Sequence, residues 1–598
     1  MMKTLLPYLR QYKKETILAP LFKLLEASFE LLVPLVMAKI IDVGIANRDK
    51  KYVMLMCLLM VSLGVVGMIC SFTAQFFSAK AAVGVSTKLR HALFAHIQSF
   101  SFTELDTMGT STSITRMTSD VNQVQNGVNM TLRLFLRSPC VVFGAMIMAF
   151  TIDFKSALVF VGTIPLLSLV VFGIMAITMP LYKKAQSGLD RVLSVTRENL
   201  TGVRVIRAFN KEPEERIRFE ENNRALTVMQ KKVGKISGLM NPITYVIVNA
   251  ATVLLIWQGA FRVDTGVITQ GELIALVNYM SQILVELVKL ANLIVTITKA
   301  LASANRVDSI MELETSMPDT AAAESRKEDT IVIETDPLEK RTGNQQNNAP
   351  ADEAVRFDHV SLTYKNAGEE SLTDIDFSVK RGETIGIIGG TGSGKSSLVN
   401  LIPRFYDATN GRVIINGVDV KDYPLHSLRD KVGVVLQKAT LFKGTIRENL
   451  LWGNKNASDE LLNEALEISQ AKEFVEKKED GLMTQVAQGG KNLSGGQRQR
   501  LTIARALVKK PDILILDDSA SALDFATDAK LRKAIREMDG NMTVFIVSQR
   551  TSSIMYADRI VVLDDGKVAG MGTHGELLKT CAVYQEIYQS QFKKAKEA

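Results

Sequence analysis

Eight consecutive residues in the second half of the chain have the types and spacing that grip a phosphate. Gly389, Gly390, Thr391, Gly392, Ser393, Gly394, Lys395 and Ser396 fit G-x-x-x-x-G-K-[ST]. Glycines so spaced let backbone N–H groups close around an anion, and the lysine reaches its outer oxygens. Residues 384–388 read as a short buried strand running into this loop, with a helix following from Ser396. The phosphates then sit at a helix start, where free N–H groups and the dipole favour negative charge. A second apolar run, 513–516, ends in Asp517. That carboxylate and the Ser396 hydroxyl are the oxygen donors that a Mg²⁺ ion on the phosphates requires. The chemistry implied is the binding of a nucleoside triphosphate with its metal.

Ahead of that second strand end stand Leu493, Ser494, Gly495, Gly496 and Gln497, the string LSGGQ. Phosphate loop, LSGGQ and acidic strand end, in this order, resemble the nucleotide-binding domain of an ABC protein. The resemblance implies ATP and Mg²⁺ as cofactors and carries roles onto the matching residues. Tyr364 stands where the family stacks an aromatic ring on adenine, and Ser397 joins the phosphate-loop residues around the nucleotide. Gln437, at the end of Val434-Val435-Leu436-Gln437, joins Ser396 and Asp517 around the metal. In this family the LSGGQ surface faces the phosphate loop of a second ATPase domain, so two domains sandwich each ATP. A chain with one such domain must therefore pair.

Two positions depart from the family pattern. The residue after the strand-end Asp is usually Glu and a His follows the next strand; here they are Asp518 and Gln549. Hydrolysis needs a carboxylate that orients the attacking water. Asp is one methylene shorter than Glu, and a shift of about 1 Å costs on the order of 10²-fold. Gln549 donates a hydrogen bond but cannot share a proton as an imidazole does. The five histidines are His91, His96, His359, His426 and His574, and none follows the strand at 543–547. Gln488 likewise replaces a residue that is usually Glu in exporters. The expectation is a degenerate site with Asp518 and Gln549 at its catalytic positions, beside an intact signature. The resemblance implies a heterodimer whose other ABC half-transporter brings Glu and His.

The elements that position these residues divide the chain. At 598 residues and 47% hydrophobic composition, it is long enough for several domains and apolar enough for membrane spans. Stretches able to cross a bilayer run about 16–43, 53–78, 131–153, 156–179, 239–261 and 273–297. Six spans put both termini on one side, and the need for ATP makes that side the cytoplasm. The first stretch is too long for a secretory leader and lacks a small-residue cleavage site. The polar segments 80–130 and 181–235 are too long for turns and read as helices. The run 198–209, ENLTGVRVIRAF, resembles the exporter signature of the second cytoplasmic loop, where short coupling helices touch the ATPase domains. Residues 317–352, with the run NQQNNAP, read as a polar linker. The expected architecture is multidomain. A six-helix all-α transmembrane domain with long cytoplasmic helical extensions (1–316) precedes the linker and an α/β P-loop nucleotide-binding domain (353–598).

The formal charge of +8 is explained by membrane flanks and calls for no nucleic acid. Four cysteines are too few for a disulfide framework. Ionisable residues inside spans are costly and mark a cavity or internal pairs. Lys23, Glu26 and Glu30 share a face of the first span, and Glu286 and Lys289 lie three apart in the last. The first reading is internal pairing, Lys23 with Glu26 and Lys289 with Glu286, which leaves Glu30 unbalanced; the alternative is a lumen of acidic character that accepts lipophilic cations. Glu26, Glu30, Glu286 and Lys289 are thus candidate cavity residues. The function implied is a subunit of an ATP-driven, multidrug-type exporter of small amphipathic compounds in the cell membrane. Translocation of lipid or peptide, or a slow homodimer, is the alternative.

Overall fold

The computed structural model describes residues 6–317, 352–365, 367–519, 521–538 and 541–592. The linker assigned to 317–352 lies, apart from its two end residues, outside them. The chain separates into two units. One comprises Met1–Gln98 and Thr110–Glu314, the other Ser99–Gly109 and Thr315–Ala598.

Among its described residues the first unit consists of helices joined by short turns. Its main helices are α1 (Lys13–Lys39) and α2 (Lys50–Gln98), then α4 (Val121–Leu134), α5 (Arg137–Ile152) and α6 (Phe154–Thr201). They are followed by α7 (Val203–Ala208), α8 (Glu212–Gly238), α9 (Met240–Asp264) and α10 (Gln270–Met311). The short α3 (Phe102–Met108) groups with the second unit. The 49 residues of α2 reach about 74 Å, more than twice the roughly 30 Å of bilayer hydrocarbon. Such helices must run far out of a membrane. Five helical stretches are long and apolar enough to span one: Lys50–Gln98, Thr110–Ile152, Phe154–Thr201, Glu212–Asp264 and Gln270–Met311. Six are expected from the sequence. The first of those, 16–43, is helical as α1, but Lys23, Glu26 and Glu30 interrupt its apolar run, and it does not reach the same apolarity.

Small residues let these helices approach closely. Ala27, Ala145, Ala149, Ala157 and Ala275 are fully buried in one cluster with Phe160, Leu255 and Tyr279. Tyr279 satisfies its hydroxyl by donating to the Leu31 carbonyl across 2.6 Å. Where α5 turns into α6, Asp153 caps the new helix by accepting from the Ser156 N–H at 2.8 Å and pairs with Arg262.

The second unit is built on sheets. A six-stranded sheet has the order β12-β11-β3-β10-β9-β6. Its strands are β3 (Thr384–Gly389), β6 (Val432–Val435), β9 (Ile513–Asp517), β10 (Thr543–Val547), β11 (Arg559–Asp564) and β12 (Lys567–Gly572). All pairings are parallel except that of the edge strand β12. Every residue of β9 is buried, as a parallel strand covered on both faces requires. A smaller antiparallel sheet joins β1 (Glu353–Leu362), β2 (Leu372–Lys380), β4 (Asn410–Ile415) and β5 (Val418–Asp419), and a two-stranded ribbon pairs β7 (Gly444–Thr445) with β8 (Gln485–Val486). One apolar core, including Phe357, Ile375, Leu398 and Phe545, ties the two sheets together. A second core joins β9 to α12 (Gly495–Val508) through Leu501, Ile503 and Leu514.

Candidate functional site

Parallel strands open their binding crevice at their carboxyl ends. Here β3, β9 and β10 end side by side and deliver the phosphate loop, Asp517–Asp518 and Ser548–Gln549 to one place. The loop turns into α11 (Lys395–Leu401) through Gly394, whose φ of +91° places it in the left-handed region. A side chain there would also stand 2.7 Å from the Ser371 carbonyl oxygen, so only glycine fits.

These ends enclose a cavity of about 260 Å³. Its lining includes Thr391, Gly392, Gly394, Lys395, Ser396 and Ser397 from the loop, with Gln437, Asp517, Asp518 and Gln549 around them. Ser371, which the sequence did not single out, also lines it. The Ser396 hydroxyl donates to Asp517 at 3.0 Å, and the Gln437 amide donates to Asp518 at 3.3 Å. Hydroxyl, carboxylate and amide carbonyl are oxygen donors, the set a hard cation such as Mg²⁺ prefers. The Lys395 ammonium folds onto the carbonyls of Gly389 (3.0 Å) and Gly390 and lies 3.4 Å from the Ser393 hydroxyl. Burial lowers its pKa, against the pull of Asp518 and Asp517. Burial also pushes the Asp517 carboxyl up; the Ser396 hydroxyl opposes this and Asp518 adds to it.

Asp518 has a left-handed backbone, φ +46°, and its N–H donates to the Val547 carbonyl at 3.0 Å. Asp tolerates that conformation better than most residues. Gln549 is exposed at the cavity, and its backbone is held from outside the site. Gln591, on the C-terminal helix α13 (Ala582–Phe592), donates to the Gln549 carbonyl at 2.7 Å. The same amide accepts from the Thr551 N–H at 2.8 Å. Gln591 thus brackets Gln549 and Thr551, and no local sequence signal marks it.

Tyr364 does not line the cavity. Its hydroxyl donates to Ser397 at 2.9 Å, and its ring meets Tyr406 edge-on at 5.0 Å. Tyr406 in turn donates to Asp106 on α3 at 2.5 Å, while Phe102 of α3 packs on Phe405 at 4.6 Å. Tyr364 is therefore two contacts from α3. That helix is anchored by a capping box in which Ser101 and Glu104 satisfy each other's end of the first turn. Burial acts to raise the Glu104 carboxyl, but hydrogen bonds from Ser101 and Ser316 outweigh it and hold the pKa below the ordinary value.

None of Leu493, Ser494, Gly495, Gly496 or Gln497 lines this cavity. Ser494 caps α12, its hydroxyl accepting from the Gln497 N–H at 3.3 Å, while the Gln497 side chain accepts from the Ser494 N–H at 3.0 Å. Gly495 and Gly496 follow at the helix start, so N–H groups and one hydroxyl are presented together.

In the first unit the candidate cavity residues belong to one ionic network. Lys23 donates to Glu26 at 2.6 Å and to Ser71 at 3.0 Å. Lys289 pairs with Glu286 at 2.8 Å. Glu30 is not left unbalanced. Arg137, on α5, reaches Glu30 and Glu286 at 2.6 Å each and Glu26 at 3.9 Å. Three cations face three carboxylates: both pairs read from the sequence form, Arg137 balances Glu30, and the alternative of an acidic lumen is corrected. Arg137 was legible as an ionisable residue within the 131–153 span, but its partners lie on other helices. Glu30, Glu286 and Lys289 line a cavity of about 490 Å³; Glu26 does not.

Comparison with known proteins agrees with both halves. The family model described as ABC transporter transmembrane region matches residues 16–287, and that described as ABC transporter matches 372–521. An uncharacterized ABC transporter ATP-binding protein of Bacillus subtilis is 36% identical over 99% of each chain. A putative multidrug export ATP-binding/permease protein of the same organism is 31% identical over 99% of each. An ATP-dependent lipid A-core flippase of Chromohalobacter salexigens is 30% identical, over 99% of this chain and 98% of that one. A bacterial Atm1-family ABC exporter with ATP bound superposes with a TM-score of 0.76 over 97% of this chain and 98% of that chain. At 23% identity that likeness speaks for the fold alone.

Proposed function

Since this chain belongs to the ABC transporter family, as an ATP-hydrolysing half-transporter of the exporter type, we propose that it is the weakened half of a heterodimeric pump. The pump exports small amphipathic compounds from the cytoplasm across the cell membrane. Its transmembrane domain covers 1–316, with α1 as a sixth span, and the ATPase domain covers 353–598. The observation that carries this reading is the mixed state of one cavity. Lys395, Ser396 and Asp517 are intact and converge, whereas the two positions that act on water and proton hold Asp518 and Gln549.

In this reading Lys395 exchanges its loop carbonyls for phosphate oxygens. Ser396, Asp517 and Gln437 hold Mg²⁺, which neutralises charge across the phosphates when bound. Asp518, engaged by the Gln437 amide and one methylene shorter than Glu, orients water poorly. The signature around Ser494 completes the partner's ATP site, where the partner supplies Glu and His. Leu200, Val205 and Phe209, beside or within α7, are 61–72% exposed, apolar surface that a second subunit would cover.

Steady-state ATPase activity of the chain alone in lipid, with its dimeric state checked, tests the scheme. A folded, ATP-binding and nearly silent protein is expected; brisk turnover as a homodimer would sink it. Asp518→Glu with Gln549→His is expected to raise turnover at this site, by up to on the order of 10²-fold.

A further inference from the structure

We propose that the cavity between α1, α2 and α10 binds the head group of a zwitterionic amphiphile, a molecule carrying one cationic and one anionic group on an apolar tail. This rests on the export of amphipathic compounds proposed above and names their charge type.

The argument begins with the order of charges. Lys289, Glu286, Arg137 and Glu30 form a chain of alternating sign. The two inner members are spent on their neighbours. Glu286 accepts from Arg137 and Lys289 on one oxygen and from Ser138, at 2.9 Å, on the other. Their side chains are only 4% and 8% exposed. The two outer members differ: Lys289 is 43% exposed and Glu30 41%, and both line the cavity. The cavity wall therefore carries a part-exposed ammonium, paired with Glu286, and a part-exposed carboxylate, paired with Arg137.

Net charge decides against a simple cation site. With Lys23 and Glu26 included, three cations balance three carboxylates, so nothing attracts a singly charged ligand by sum. Such a ligand meets one favourable and one unfavourable end. A ligand with two opposite charges satisfies both, which is discrimination by repulsion as well as attraction. Gln282, which also lines the cavity, has a buried Oε1 with no hydrogen-bond partner among the described residues, an acceptor for a ligand N–H. Val33, Pro34, Met37 and Val285 supply apolar wall for a tail.

Equilibrium binding to the full-length transporter in lipid nanodiscs tests this with three compounds sharing a dodecyl tail: dodecyl phosphoethanolamine, dodecylammonium and dodecyl phosphate. The zwitterion is expected to bind about tenfold tighter than either compound carrying charge of one sign only, the order of one charge-assisted contact. Lys289→Glu should turn the preference to dodecylammonium, a gain that misfolding would not produce. Glu30→Gln should erase the zwitterion's advantage over dodecyl phosphate. Equal binding of all three, a preference for dodecylammonium in the unaltered chain, or an unchanged ranking in both variants overturns the proposal and leaves the export reading intact. Failure of the unaltered transporter to bind or transport any of the three overturns both.

Discussion

The ATP cavity and the transmembrane cavity both gather charged side chains, and they differ in what satisfies them. In the ATP cavity Asp517 and Asp518 stand side by side, and Lys395 makes do with carbonyls of its own loop. Its charges are left for a ligand and a metal to complete. In and beside the transmembrane cavity each carboxylate already has a cation, and Arg137 reaches three: Glu30 and Glu286 in its lining and Glu26 outside it. Water can tolerate unbalanced charge at the first site; at membrane depth nothing but the protein can neutralise it. Incomplete charge thus marks a binding site in one region, while in the other the ends of a complete chain do.

The largest expected effect follows from that difference. Arg137→Met leaves Glu30 and Glu286 without their shared cation and should cost about 3–5 kcal/mol, read as thermal unfolding in lipid, whereas adding Glu286→Gln should restore part of it. No loss of stability would mean that lipid or water compensates the carboxylates, and the contrast would break. In the ATP domain the effect should fall on rate instead. Ser494→Ala is expected to slow hydrolysis by the assembled pump about 10²-fold, the cost of one donor at a developing charge. Asp518→Asn should cost far less, and equal losses would count against asymmetric sites.

A smaller effect belongs to Gln591. Removing its bracket on Gln549 and Thr551 by Gln591→Ala, in the Asp518→Glu and Gln549→His background, should lower kcat about fivefold with KM little changed, one net hydrogen bond of about 1 kcal/mol. Gln591→Glu keeps the acceptor for Thr551 and should fall between. A change in KM alone would make α13 part of nucleotide binding rather than of loop placement.

The smallest effect is on pH. Asp517 holds its proton more tightly than an ordinary carboxylate, chiefly through burial. Metal binding needs it ionised, so affinity for Mg-ATP should weaken on acidification from neutrality, beginning above the usual value of about 4. The sign for stability is opposite. A carboxyl whose folded pKa is raised contributes stability below its unfolded pKa and loses it as pH rises. Acidification should therefore weaken nucleotide binding without this group destabilising the empty domain. Asp517→Asn should flatten the dependence, and a flat profile in the unaltered chain would show the carboxylate fully ionised throughout.

The two regions were not equally legible. The phosphate loop, Asp517 and Asp518 could be read because the residues that act together lie within a few positions of a strand end, and strand periodicity locates that end. The long helices could be read because apolar length is itself the physical requirement. Glu30 was misjudged because its partner is 107 residues away on another helix. Tyr406 and Asp106, 300 residues apart, and Gln591, 42 residues beyond Gln549, were invisible for the same reason.

By itself the sequence determined the chemistry of the nucleotide site, the departures at Asp518 and Gln549, and the presence of a helical membrane unit ahead of an α/β unit. The phosphate loop and the helical and α/β units follow from local spacing and periodicity, whereas the departures at Asp518 and Gln549 are legible only through the resemblance to ABC proteins. Only the tertiary structure decided which charges neutralise which, that Gln591 clasps the Gln549 backbone, and that α3 reaches Tyr406 and, through it, Tyr364. Packing brings those groups together across hundreds of residues, and side-chain electrostatics act over a few ångströms of space, not along the chain.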